Sequence, residues 1–319
     1  MPTKQPDPKE LRKELIGVLS NLIKHMDWVL GQNTPQRPVV DPTPTPQPVQ
    51  QRTRSIEAIE ALINYGQEFY SDERDERGGR VGLAVAMQEA YDKMGSDGII
   101  ATLPYLIAGK AHADKTSYLW KKFFFTGLSE ENVGIDKKGI LVRRGNGIVV
   151  IVHGGGILTP DRIKQAYRKR KGFTSQKTAK FTDDEFNNLL RGSLPSGESI
   201  NLYTVDDVVK GNIPDPFGRY AVWMPVEKAI RTKSGCYDKK GFMNNPLVIA
   251  RAGTLEYIEK YFDREKSLGE YVGCHHMFDR TGFRQPQGLF LYVSQTSVGL
   301  CDCSLDASAR FVGVAPKAP

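Results

Sequence analysis

The chain has 319 residues, of which 39% are hydrophobic and 25% charged, with four cysteines and a net charge of +7 at neutral pH. That is the composition of a globular protein long enough for one large or two ordinary domains. It contains no run near the ~20 apolar residues of a membrane span, and its start, MPTKQPDPKELRKEL, lacks the basic-then-apolar order of a signal peptide. The expected location is therefore the cytoplasm or an intracellular or virion assembly, with no membrane partner and with the cysteines as thiols.

Residues 8–30 predict an amphipathic helix within an N-terminal segment 1–31. Asp7 stands at the N-cap, Gly31 at the stop, and Leu11, Leu15, Val18, Leu22, Met26 and Val29 form one apolar stripe. Segment 32–53 carries Pro35, Pro38, Pro42, Pro44, Pro46 and Pro48 and predicts an extended spacer. A helix on such a tether can dock on a protein partner or on a sister subunit, or fold back on its own body.

Residues 54–134 read as the helical part of the main body. Ile56, Ile59, Leu62, Ile63 and Phe69 give one helical stripe, and 81–94 a second helix stopped by Gly95. The aromatic row around Tyr118, Trp120, Phe123, Phe124 and Phe125 reads as core. From 135 to 319 the pattern is that of an α+β body with a mostly antiparallel sheet and interspersed helices. Strand runs are predicted at 140–142 and 148–152, joined as a hairpin through Asn146-Gly147, and at 219–226, 247–251, 289–293 and 310–314. Helices are predicted at 183–191, 205–210 and 254–266. Thr182 and Glu185 have capping-box spacing, so Asp183 and Asp184 serve a helix dipole rather than a metal.

The richest stretch is 139–172. Its strand run ends in Gly154, Gly155 and Gly156, and Thr159, Pro160 and Asp161 then open a helix. A glycine loop leading to a helix start is an anion-site geometry, which makes Gly154, Gly155, Gly156 and Thr159 candidate anion ligands; the alternative is a turn packed against a neighbour. The run Val149–Gly156 resembles the glycine strand-end of amino-acid kinases and is similar to the His-Gly-Gly-Gly oxyanion loop of lipase-like esterases. The resemblance implies no catalytic residue. The chain has no G-x-S-x-G elbow, and it opens with a helix and a proline tract where those kinases carry their lysine and glycine strand.

Between Pro160 and Lys180 stand eight basic residues against one acid, which equals the whole net excess. Arg162, Lys164, Arg168, Lys169, Arg170 and Lys171 are the candidates for contact with nucleic acid or an acidic surface, the alternative being a solvated helix face. Cys236, Cys274, Cys301 and Cys303 are candidate zinc ligands, the alternative being buried reduced thiols. His153 and His276 are candidates for proton transfer on an anionic or phosphorylated substrate.

These features give three readings. The first is a non-enzymatic assembly or binding protein, the second an enzyme at the glycine loop, and the third a zinc-stabilised module.

Overall fold

The structure is a computed structural model that describes residues 48–76, 78–122, 124–134, 147–168, 181–231, 234–266, 271–275, 287–293, 297–303, 305 and 307–316. The chain divides after Gln47, and the first unit, with the expected helix 8–30 and most of the proline tract, lies outside the described residues. The first described helix, α1 (Pro48–Tyr65), starts inside the segment expected to be spacer. Proline at a first helical position explains why Pro48 opens a helix rather than prolonging the extended tract.

In chain order there follow β1 (Gln67–Ser71), α2 (Gly82–Met94), β2 (Ile99–Ile100), α3 (Leu103–His112), α4 (Tyr118–Lys121) and β3 (Phe124–Gly134). The part expected to be a helical layer up to residue 134 holds helices and also three strands. Trp120 and Phe125 of the aromatic row are core, and the chain turns from helix to strand between them. After the next gap come β4 (Ile148–His153), α5 (Pro160–Arg168), α6 (Asp183–Leu190), β5 (Leu202–Thr204), α7 (Val205–Lys210), β6 (Tyr220–Pro225), α8 (Val226–Arg231) and β7 (Gly235–Tyr237). The body closes with α9 (Lys239–Met243), α10 (Pro246–Ala252), α11 (Ile258–Lys266), β8 (Tyr271–His275), β9 (Gln287–Val293), β10 (Ser297–Cys303) and β11 (Ala309–Val314). The fold is α+β, as the sequence predicts.

Residues 247–251 were expected as a strand and are the helix α10 instead. Asn245 accepts from the amides of Leu247 and Val248, Pro246 fills the first helical position, and Gly253 closes the end with φ +65°. An apolar run that is buried on every side has no helical periodicity to display, so its caps alone reveal it. The first strand of the expected hairpin, 140–142, lies outside the described residues.

Eight strands form one sheet in the order β5-β6-β4-β3-β9-β10-β8-β7, antiparallel except for the β5–β6 and β8–β10 pairs. A second, antiparallel sheet has the order β1-β11-β2. The largest core cluster lies between one face of the large sheet and α3, α10 and α11, with Tyr105, Leu247, Val248, Tyr261, Leu289 and Leu300 buried in it. A second cluster joins α2 to the small sheet through Leu83, Met87, Phe69 and Phe311. A third sits beneath α6, with Val150, Val152, Phe186 and Leu189. Strand β3 contacts both β4 and β9, and between Gly127 and Glu130 its register against β9 shifts in a bulge. That bulge turns Leu128 toward the second cluster. No helix among the described residues is long and apolar enough to cross a membrane.

Candidate functional site

The glycine loop leaves β4 with its first amide already taken, since Gly154 N donates to Leu128 O at 2.8 Å. All three glycines have positive φ, at +84°, +69° and +121°. A Cβ on Gly154 would lie 2.9 Å from Arg219 Cα, and one on Gly156 would lie 2.7 Å from Leu194 Cδ1. Both the backbone conformation and the packing therefore require glycine here. The loop is packed against its own chain. Past it, the N–H groups of Ile157 and Leu158 point at the carboxylate side chain of Glu130, with Leu158 N 2.8 Å from Oε1. Glu130 is thus an internal acceptor for the amides that follow the three glycines. Thr159 accepts from Arg162 N at 3.2 Å and acts as a helix cap.

Of the basic candidates, Arg162 is committed to a partner. Its Nη1 and Nη2 each donate to a Glu185 carboxylate oxygen at 2.9 Å, and the guanidinium lies over the Phe181 ring. Glu185 also completes the capping box of α6 with Thr182, so its carboxyl is held below its ordinary range by these donors despite partial burial. Lys164 is half-buried on α5. Arg168 ends α5, and Lys169, Arg170 and Lys171 lie outside the described residues.

His153 is fully buried at the end of β4. Its Nε2 lies 3.0 Å from Ala250 O, so this nitrogen carries the proton, and Nδ1, 2.9 Å away, accepts from the Ser129 hydroxyl. Ser129 Oγ in turn accepts from Leu103 N at 2.9 Å. Burial pushes the imidazole pKa down to about 4, so the ring is neutral and ties β3, β4, α3 and α10 together. Both ring nitrogens are thus engaged within the core. His276 lies outside the described residues.

A second polar group of the core was not foreseen. Arg251 on α10 is completely buried, with Nε 3.1 Å from Glu131 Oε2 and Nη2 3.2 Å from Oε1. Its Nη1 donates to the carbonyls of His275 at 2.7 Å and Leu300 at 3.3 Å. One guanidinium thus joins α10 to β3, β8 and β10.

Cys236 and Cys274 do not converge. Strand register pairs Cys236 with Gly273, Gly235 with Cys274, Leu300 with Cys274 and Cys301 with His275. Because side chains alternate across a strand, position 274 lies on the core face and position 236 on the other. Cys274 is buried and Cys236 exposed. Cys236 and Cys274 thus lie on opposite faces of the sheet. Among the described residues no group of three or more His, Cys, Asp or Glu side chains is placed to hold a metal.

No family model matches this chain, and no curated protein matches it. One solved structure does, reported under the heading of accommodation of massive sequence variation in Nanoarchaeota by the C-type lectin fold. It aligns over 79% of this chain and 99% of its own length, with a TM-score of 0.55 and 23% identity. The likeness is to a C-type lectin fold. At this identity it speaks for the fold alone.

Proposed function

We propose that this chain is a non-enzymatic binding protein built on a C-type lectin-like scaffold. The observation that carries the reading is how the buried polar groups are spent. The ring nitrogens of His153 and the guanidinium of Arg251 are engaged with backbone carbonyls, Ser129 and Glu131, all within the scaffold. Groups used this way fix a framework and leave recognition to its surface. The related fold in Nanoarchaeota accommodates massive sequence variation, and a scaffold locked from within is suited to that. In this reading the segment 1–31 docks on a partner or sister subunit. The basic stretch Arg168 to Lys171 meets nucleic acid or an acidic surface, because Arg162 is already neutralised by Glu185.

Native mass determination of the full chain, with and without nuclease, tests both contacts. The expected result is an assembly that loses mass when residues 1–52 are deleted and loses bound nucleic acid when Arg168 to Lys171 are reversed to glutamate. A clean monomer without nucleic acid in both preparations would overturn the reading.

A further inference from the structure

Glu130 and its surroundings form a cluster that the binding reading does not use. Its carboxyl is 2% exposed, and while Oε1 receives the Leu158 amide, Oε2 has no hydrogen-bond partner. A cavity of about 10 Å³ borders it, lined by Leu83, Met87, Leu158 and Phe311 together with the β3 bulge from Thr126 to Glu130. That is about the room one water needs. The polar side chains nearby are already used: Thr126 Oγ1 accepts from Arg310 N, and Ser129 joins His153 to Leu103.

The charged groups acting on Glu130 are Arg162 from α5 and Arg219 from the segment before β6, while Tyr91 from α2 is a neutral phenol. Each arginine has its own glutamate, Glu185 for Arg162 and Glu198 for Arg219, at 2.9 and 3.0 Å. Both still act to lower the Glu130 pKa, but less than burial raises it. Glu131, next in sequence, faces the opposite side of the sheet and is paired with Arg251. An ionised Oε2 would therefore sit against apolar walls with at most one water, whereas a neutral hydroxyl there costs little.

We propose that Glu130 is a proton-operated latch: the folded protein holds its carboxyl neutral, and loss of that proton draws water into the junction where α2 and the small sheet meet β3, loosening it. This is independent of what the protein binds. Burial raises the Glu130 pKa to about 8, outweighing the two amide bonds and the arginines. The folded state then binds the proton more tightly than the unfolded chain, whose ordinary value is 4.5. Stability from this group is full below pH 4.5 and is lost as pH rises toward 8. His153 opposes this slope only below its ordinary value of 6.5, so the interval from 6.5 to 8 separates Glu130 from His153.

The experiment is carboxyl-carbon NMR titration of the full chain, with Glu130→Gln for assignment. Hydrogen exchange of α2 is followed beside it from pH 6.5 to 8.5. A Glu130 midpoint near 8 is expected, together with an opening of α2 that grows several-fold over this range and is abolished in Glu130→Gln. A midpoint in the ordinary carboxylate range, or the same α2 opening in Glu130→Gln, overturns the latch. Should Glu130→Gln fail to fold, Glu198→Gln frees the Arg219 charge and should lower the midpoint; an unmoved midpoint would equally overturn it.

Discussion

Glu130 and Glu131 are neighbours on one strand, both buried, and they live in opposite electrostatic worlds. Glu131 meets a guanidinium that contacts both of its oxygens and is itself completed by two backbone carbonyls. Glu130 receives two amides on one side and nothing on the other. The alternation of a strand makes this contrast possible, since it sends adjacent side chains into different cores. Burial therefore does not by itself decide whether a carboxyl is charged; the partner set on each face does.

The contrast is broken most severely from the Glu131 side. Arg251→Ala leaves a carboxylate and two carbonyls stranded in the core, and the expected loss is about 3–5 kcal/mol of unfolding free energy, read by urea denaturation. Arg251→Met with Glu131→Gln made together should recover much of it, because the cost comes from the widowed charge rather than from the missing attraction. Equal losses in the single and double variants would remove the argument that pairing distinguishes the two glutamates.

His153 sharpens the comparison by one step. It is a buried titratable group with every hydrogen bond satisfied, and its pKa of about 4 lies below the ordinary 6.5. The unfolded chain binds that proton more readily, so stability should fall as pH drops from 6.5 toward 4. His153→Asn should flatten this acid limb while costing about 1–3 kcal/mol near pH 7 through the unsatisfied Ser129 or Ala250. An unchanged acid limb in thermal melts would show that the ring is hydrated or charged in the folded state.

The smallest effect is expected at the surface, where Thr182→Ala removes the capping box of α6 and the hydroxyl contact to Glu185. A loss of about 1 kcal/mol is expected. The Arg162–Glu185 pair should survive it, since both of its contacts are independent of Thr182.

Local chemistry was legible where it is complete within a few residues. Thr182 and Glu185 show their capping box in the sequence, Gly95 shows its stop, and the three glycines show a turn that needs positive φ. The occupant of that turn was not legible, because Glu130 reaches Leu158 from 28 residues away across a strand pair. Arg251 is separated from Glu131 by 120 residues, and nothing local marks either one as buried. The cysteines show the same limit. Only the pairing of β7 with β8 shows that Cys236 and Cys274 occupy opposite faces of the sheet.

The small sheet imposes an order of events on synthesis. Its middle strand is β11, and the bond from Arg310 to Glu68 closes a loop of 242 residues. While a ribosome is still making the chain, β1 and β2 therefore wait side by side with no strand between them, and α2 has half of its apolar bed missing. Entropy of loop closure makes such a late, distant pairing slow. The nascent body should remain open to chaperones and proteases until residues 309–314 have emerged, and a stop codon shortly before them should cost the cell the whole domain rather than a six-residue strand.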